Sequence, residues 1–354
     1  HGPKPQPEPR ADISIEFPAR VRRSSRAMTA PHMLTRREFL ATSAAGLAGA
    51  SVAFAATEAE PIIDIHQHTN YGGVRDKDYK IIKPGRTHEE LVGHQRKMGI
   101  TKTILLPAGR DVSRPSTHGG RGNGLQSTCS TNEDCVALAR AYPKEFYFGA
   151  NEVSDLAEAP EVVEKYLKLG AVVVGEQKFG VQCDSPEMQK LYELAGAYRV
   201  PILMHWQLEN FNYGFERFHT MLAKYPKVNF IGHAQTWWAN IDKAYVNNAK
   251  ELSPKGKVTP GGMTDRYLSD YPNMYGDLSA GSGRNAVGRD PEHARSFFQR
   301  HQDKLLFGSD CTDATGSGDR CIGSNQMAQI RKFAPSKAVE RKLLYENANK
   351  LFRL

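Results

Sequence analysis

Ile62-Ile63-Asp64-Ile65-His66-Gln67-His68 is the stretch on which the reading of this 354-residue chain turns. Three β-branched aliphatics in four positions predict a buried strand, and the strand ends in His-x-His. Successive strand side chains point to opposite faces, so His66 and His68 share one. Two imidazoles so placed form a pair of metal ligands if other donors join them. Alone, the pair could equally be two hydrogen-bonded histidines at a strand end.

Later segments of the chain supply the other donors. Thr87-His88-Glu89-Glu90 reads as a capping box opening a helix that ends near Gly99. Short apolar strands are expected at 103–106, 146–150, 172–176, 201–205, 228–233, 274–277 and 305–310, with helices between most of them. Ser185-Pro186 starts one of those helices as N-cap and first-turn proline. The Gly/Ser/Arg-rich segment from Pro107 to about Thr131 is too long for an ordinary connector and is expected to be a functional loop. Strands alternating with helices imply a parallel sheet, and eight such units fit a closed (β/α)8 barrel of the α/β class. The runner-up, a doubly wound open sheet, would carry G-x-G-x-x-G after its first strand, and this chain has none there.

Polar residues close the apolar runs. His66 and His68 end strand one, Glu176 strand four, His205 strand five, His233 strand six and Asp310 strand eight. In a barrel those ends meet on the face where active sites of the fold sit. Four histidines and two carboxylates suit a divalent ion: zinc first, with manganese or iron as alternatives. One strand-end histidine would mean little. Six donors on five strands point to a metal centre.

The ordered set Asp64-Ile65-His66-Gln67-His68, Met204-His205, Gly232-His233, Gly308-Ser309-Asp310 and Tyr345-Glu346-Asn347-Ala348-Asn349-Lys350-Leu351-Phe352 resembles the amidohydrolase superfamily. In particular it is similar to the amidohydrolase-related branch (family 2) that also holds the aminocarboxymuconate semialdehyde decarboxylase-like enzymes. The resemblance covers roughly residues 61–354. It implies that His66, His68 and Asp310 hold a first metal, and that His205 and His233 serve a second or orient substrate. At the strand-four position the family carries a carboxylated lysine, a glutamate or neither. Here Glu176 resembles the Gly-Glu of the TatD-like deoxyribonucleases, and Lys178 is the alternative bridge or a charged contact for substrate. One ion or two therefore stays open.

The resemblance implies metal-dependent hydrolysis of a small carboxylate, lactone, amide or ester, with Asp310 as ligand and general base. A decarboxylase on the same scaffold is the second reading, and an exported metal-binding protein without turnover the third. No Gly-x-Ser-x-Gly elbow is present, which argues against a serine hydrolase. Trp206, Asn212, Tyr213, Arg217, Trp237 and Trp238 follow strands five and six and are expected near the barrel mouth as substrate contacts, or as packing over the barrel. Arg110 after strand two is a further candidate for a substrate carboxylate.

The formal charge of +8 raises nucleic acid as a partner. Residues 1–40, however, hold eight Lys/Arg against four Asp/Glu, and no basic run comes after them, so that partner is not expected. Thr35-Arg36-Arg37-Glu38-Phe39-Leu40, the uncharged stretch from Ala41 to Ala56, and Ala53-Phe54-Ala55 resemble a twin-arginine export signal with its cleavage site. The apolar stretch is shorter than the roughly 20 residues of a membrane span. The expected organisation is a disordered or non-native leader over 1–27, a signal peptide over 28–56, and a barrel over 57–354. The export machinery would be a partner, the periplasm the destination, and an oligomer is possible. Replacing Arg36 and Arg37 by lysine should trap the precursor inside the cell; unchanged export would dispose of this reading. In an oxidising compartment Cys129/Cys135 and Cys311/Cys321 could close short loops, or all five cysteines could be ordinary thiols, with Cys183 left over.

Overall fold

The computed structural model describes residues 60–76, 80–109, 124–125 and 129–354. The leader, the twin-arginine segment, Arg110 and most of the loop after strand two lie outside the described residues.

Eight strands form the barrel: β1 (Ile63–Gln67), β2 (Lys102–Leu105), β3 (Phe146–Phe148), β4 (Val174–Gln177), β5 (Ile202–His205), β6 (Phe230–His233), β7 (Met274–Asp277) and β8 (Leu305–Leu306). They pair in parallel as a three-stranded sheet, β1-β2-β3, and a five-stranded sheet, β8-β7-β6-β5-β4. Two seams join them. Ala150 bridges Val174 between β3 and β4, and the Ile65 amide donates to the Phe307 carbonyl (3.2 Å) beside β8 and β1. The architecture is that of a (β/α)8 barrel.

Period-two burial follows from the sequence. Ile63, Ile65, Ile104, Leu106, Val173, Leu203, Ile231 and Leu306 form one core cluster, and the helix Asn347–Phe352 packs Ala348, Leu351 and Phe352 against it. Their strand neighbours Val174, Ile202, Met204, Phe230 and Met274 belong instead to the large cluster shared with the surrounding helices. On β5 this alternation sets Leu203 and His205 on the inner side. Register does the rest: His205 is the Cα partner of His233, so the two imidazoles stand abreast. β1 and β4 each break register, between Asp64 and Gln67 and between Val174 and Gln177. Such irregularities re-aim side chains beside active sites, and both fall where ligand candidates leave their strands.

α1 (His88–Lys97) has the expected capping box between Thr87 and Glu90, and Ser185 caps the helix Pro186–Tyr198. Four helices went unanticipated: Gln235–Ala239, Met263–Asp270, Ala280–Gly288 and Ile322–Phe333. Among the described residues no helix is long and apolar enough to cross a membrane.

Candidate metal centre

The first and last strand ends are fastened to each other before any ligand is considered. Ser309 donates its hydroxyl to Asp64 and its amide to Asp64 Oδ1 (2.9 Å), and the Gln67 amide donates to Ser309 Oγ (2.6 Å). The Asp310 amide donates to the His66 carbonyl (2.9 Å). Gly308 makes this approach possible, since a Cβ there would lie 2.7 Å from Asp277 Oδ1 and 2.9 Å from His66 Cβ. Asp310 itself sits at φ +43°, a left-handed conformation that aspartate tolerates better than most residues. Gly308-Ser309-Asp310 and Asp64-Ile65-His66 are thus one interlocked unit.

Around it the donors converge. His66 Nε2 and His68 Nε2 are 3.2 Å apart, and each lies 3.4 Å from Glu176 Oε2. Asp310 Oδ1 is 3.8 and 3.6 Å from the same two nitrogens. The other Glu176 oxygen, Oε1, hydrogen-bonds His205 Nδ1 and lies 3.7 Å from His233 Nε2. His233 Nε2 is also 3.8 Å from Asp310 Oδ2. All six residues proposed as ligands from sequence therefore meet in one cluster, buried except for the slightly open Asp310.

The groups behind the ligands define their tautomers. His66 Nδ1–H donates to Asp277 Oδ2 (2.7 Å) and His68 Nδ1–H to the Leu106 carbonyl (2.7 Å), which leaves both Nε2 lone pairs facing inward. His233 Nδ1 lies 3.1 Å from the same Asp277 oxygen, and Ser279 donates to Asp277 from both hydroxyl (2.8 Å) and amide (2.9 Å). Asp277 was missed from sequence. Its signal was the carboxylate closing Met274-Tyr275-Gly276-Asp277, the same strand-end rule that found the others. Tyr71 was missed as well; its hydroxyl donates to Asp310 Oδ1 (2.6 Å).

Charge explains the titration of the cluster. Burial opposes a charge on His66, but Asp310, Glu176 and Asp277 outweigh it and hold the imidazolium well above its usual range. His68, likewise resisted by burial, is raised to about 10 by the adjacent Cys129 thiol and Glu176. Burial pushes Asp310 up, and the His66 and His68 charges bring it below the ordinary carboxylate range. In Glu176 burial is overcome by the hydrogen bond from His205 and by the charges of Lys178 and His66, and its carboxyl falls well below normal. His205 is pushed down to about 4, by burial and then by the Lys178 ammonium, and stays neutral.

Protons on the His66 and His68 imidazoles would compete with a cation for the place among the carboxylates. An entering ion needs both Nε2 lone pairs free, so binding should release protons. Because both imidazole values are raised, affinity should climb as pH rises through neutrality and fall in acid. Titration calorimetry in buffers of different ionisation enthalpy measures this, and an uptake independent of the buffer would contradict the geometry.

The remaining candidates lie elsewhere. Lys178 falls just past the end of β4, its ammonium 5.8 Å from the centre of the Phe211 ring; it acts on Glu176 and His205 through its charge. Trp206 and Trp237 are both 0% exposed, packed edge-on against Phe215. Of the two expectations for these rings, substrate contact or packing, their burial accords with packing between strands and helices. Trp238 is buried too and donates to the Asp277 carbonyl (2.8 Å). Asn212 donates to the Gln177 and His205 carbonyls (2.6 and 2.7 Å), tying the ends of β4 and β5. Arg217 is held by Asp184 (2.8 and 3.0 Å) and Gln182, so its guanidinium is already engaged. None of the five cysteines is joined in a disulfide.

These features define a parallel α/β barrel with a histidine–carboxylate cluster at the C-terminal ends of its strands. Residues 63–354 match the family model described as amidohydrolase (Amidohydro_2), and the chain belongs to that family of enzymes, which includes hydrolases and decarboxylases. No curated protein matches the sequence. Among solved structures it is similar to an uncharacterised TIM-barrel protein from Bordetella bronchiseptica, at 16% identity and TM-score 0.55 over 83% of this chain and 98% of that one. A probable 2-pyrone-4,6-dicarboxylic acid hydrolase from Acinetobacter baumannii is similar at 14% identity and TM-score 0.54, over 83% and 99%. A 2,6-dihydroxybenzoate decarboxylase in complex with 2,6-dihydroxybenzoate is similar at 14% and 0.50, over 84% and 100%.

Proposed function

We propose that the chain is a hydrolase of small carboxylates, lactones, amides or esters that works with two divalent ions, zinc by preference. Glu176 carries the reading. One of its oxygens faces His66 and His68 and the other faces His205 and His233, which is the arrangement of a bridging carboxylate. The donor set fits the ions. Nitrogen ligands at about 2.0–2.1 Å in tetrahedral array stand about 3.3 Å apart, against 3.2 Å between His66 and His68 and 3.4 Å from each to Glu176.

An ion held there would polarise a substrate carbonyl and bring the pKa of water from 15.7 toward about 7. The protein's own groups do the rest. Asp310, which the charge of a bound ion would keep ionised, takes a proton on Oδ2 and returns it to the leaving group, while Tyr71 holds Oδ1. Asp277 fixes the imidazoles of His66 and His233 from behind. Lys178 lies close enough to Glu176 to attract an anionic substrate group.

Metal analysis tests the proposal. Purified protein should hold two ions per chain in this centre, and Glu176→Ala should deplete both, since each loses its shared ligand. The second reading is decarboxylation, for which the dihydroxybenzoate enzyme offers a precedent on this fold. One ion per chain, with carbon dioxide released from carboxylated aromatics and no lactone or ester cleaved, would replace the hydrolase by a decarboxylase.

A further inference from the structure

A second group of metal-type donors lies outside the centre just described. His94 belongs to α1, Cys311 follows Asp310 directly, and Cys321 is the N-cap of the helix Ile322–Phe333. All three are fully buried, and their donor atoms lie within 4.8 Å of one another. We propose that His94, Cys311 and Cys321 bind a structural zinc ion, with Asp313 as the fourth ligand, which pins the segment carrying Asp310 to α1.

The distances carry the argument. Zinc bonds of about 2.3 Å to sulfur and 2.0–2.1 Å to nitrogen, in tetrahedral array, place two sulfurs about 3.8 Å apart and sulfur about 3.6 Å from nitrogen. Cys311 Sγ and Cys321 Sγ are 3.9 Å apart, and Cys321 Sγ is 3.6 Å from His94 Nε2. Asp313 Oδ2 stands 3.9 Å from the same nitrogen. That oxygen already accepts from the Thr315 hydroxyl (2.8 Å), the Gly316 amide (2.8 Å) and the Thr315 amide (3.0 Å), which anchors the carboxylate and leaves Oδ1 as the oxygen for the ion. Two sulfurs, one imidazole and one carboxylate, three of them on fully buried residues, make a structural rather than a catalytic set.

Hydrogen bonding gives an independent indication. His94 Nε2 meets the Cys321 sulfur, a weak hydrogen-bonding group, at 3.6 Å and the Asp313 oxygen at 3.9 Å, and a bond to zinc would replace these weak contacts, while Nδ1 stays unpartnered. The backbone is shaped to the same approach. Gly316, at φ +71°, lies against α1 so closely that a Cβ would sit 2.5 Å from the His94 carbonyl.

Cobalt(II) in place of zinc makes the test spectroscopic. The six donors of the main centre are nitrogen and oxygen, whereas thiolate bound to cobalt gives an intense near-ultraviolet charge-transfer band. Cys129 lies beside His68, so Cys129→Ser is the control. The unmodified protein should show the band and hold one ion more per chain than the main centre accounts for. Cys129→Ser and His66→Ala should keep the band. Cys321→Ser and His94→Gln should lose it along with that one ion. Absence of the band from the unmodified, reduced protein would overturn the proposal and needs no variant to fold. So would a band that survives both Cys321→Ser and His94→Gln, or an intact mass two hydrogens low from a Cys311–Cys321 disulfide. Failure of the hydrolase reading would leave each of these outcomes unchanged.

Discussion

Asp310→Asn should lose at least about two decades of turnover while the protein keeps measurable metal. General-base assistance is worth roughly 100- to 10,000-fold, or about 3–5 kcal/mol at 1.36 kcal/mol per decade. The amide preserves what is structural at this position. It still accepts from Tyr71, as Oδ1 does now at 2.6 Å, and still offers an oxygen lone pair toward His66 and His68. What it lacks is basicity near neutral pH. Metal content and turnover measured together on a panel of esters, lactones and carboxylated aromatics separate the two roles. A variant with metal retained and the parent rate would show that Asp310 is not the base.

The second large effect distinguishes two adjacent histidines. His66→Ala and His68→Ala should each strip metal from the first position, because each removes one of very few ligands. Their costs in stability should differ. His66 is the 2.7 Å partner of the buried Asp277 carboxylate, and removing one half of a buried ion pair costs about 3 kcal/mol or more. Ser279 keeps two hydrogen bonds to Asp277 and softens that loss. His68 Nδ1 is backed by the Leu106 carbonyl rather than by a carboxylate, so its removal leaves one unsatisfied acceptor, about 1–3 kcal/mol, besides the contacts to Glu176 and Asp310 that both histidines share. Chemical denaturation of the metal-free proteins reads the difference. Equal destabilisation by both would mean that Asp277 does not depend on His66.

The barrel and the clustering of these six side chains were legible because each strand is an apolar run closed by one polar residue, and in a parallel barrel those closures meet. His205 and His233 illustrate this: two residues far apart in the chain, each predicted from its own strand, become Cα partners. Asp277 ends its strand in the same way, yet it holds imidazoles from behind, a role with no spacing signature. Tyr71 comes from a turn just after β1, where alternation no longer says which way a side chain points. Trp206 and Trp237 show the opposite failure. Following a catalytic strand in sequence says nothing about direction, and rings of that size were drawn inward by the area they bury. Lys178 depended on β4 running one residue further than its end at Gln177.

The fastening of Asp64 to Ser309 spans a sequence separation of 245 residues, and the ligands of the first position sit on either side of it. A contact of that range forms only after nearly the whole chain has been made and its loop-closure entropy overcome. The centre is therefore unavailable to a nascent or truncated chain, however well its early strands have formed. Were the centre to take up an ion as proposed, metal capture would mark completed biogenesis: the ion would enter last and would then oppose the parting of the two ends of the ring.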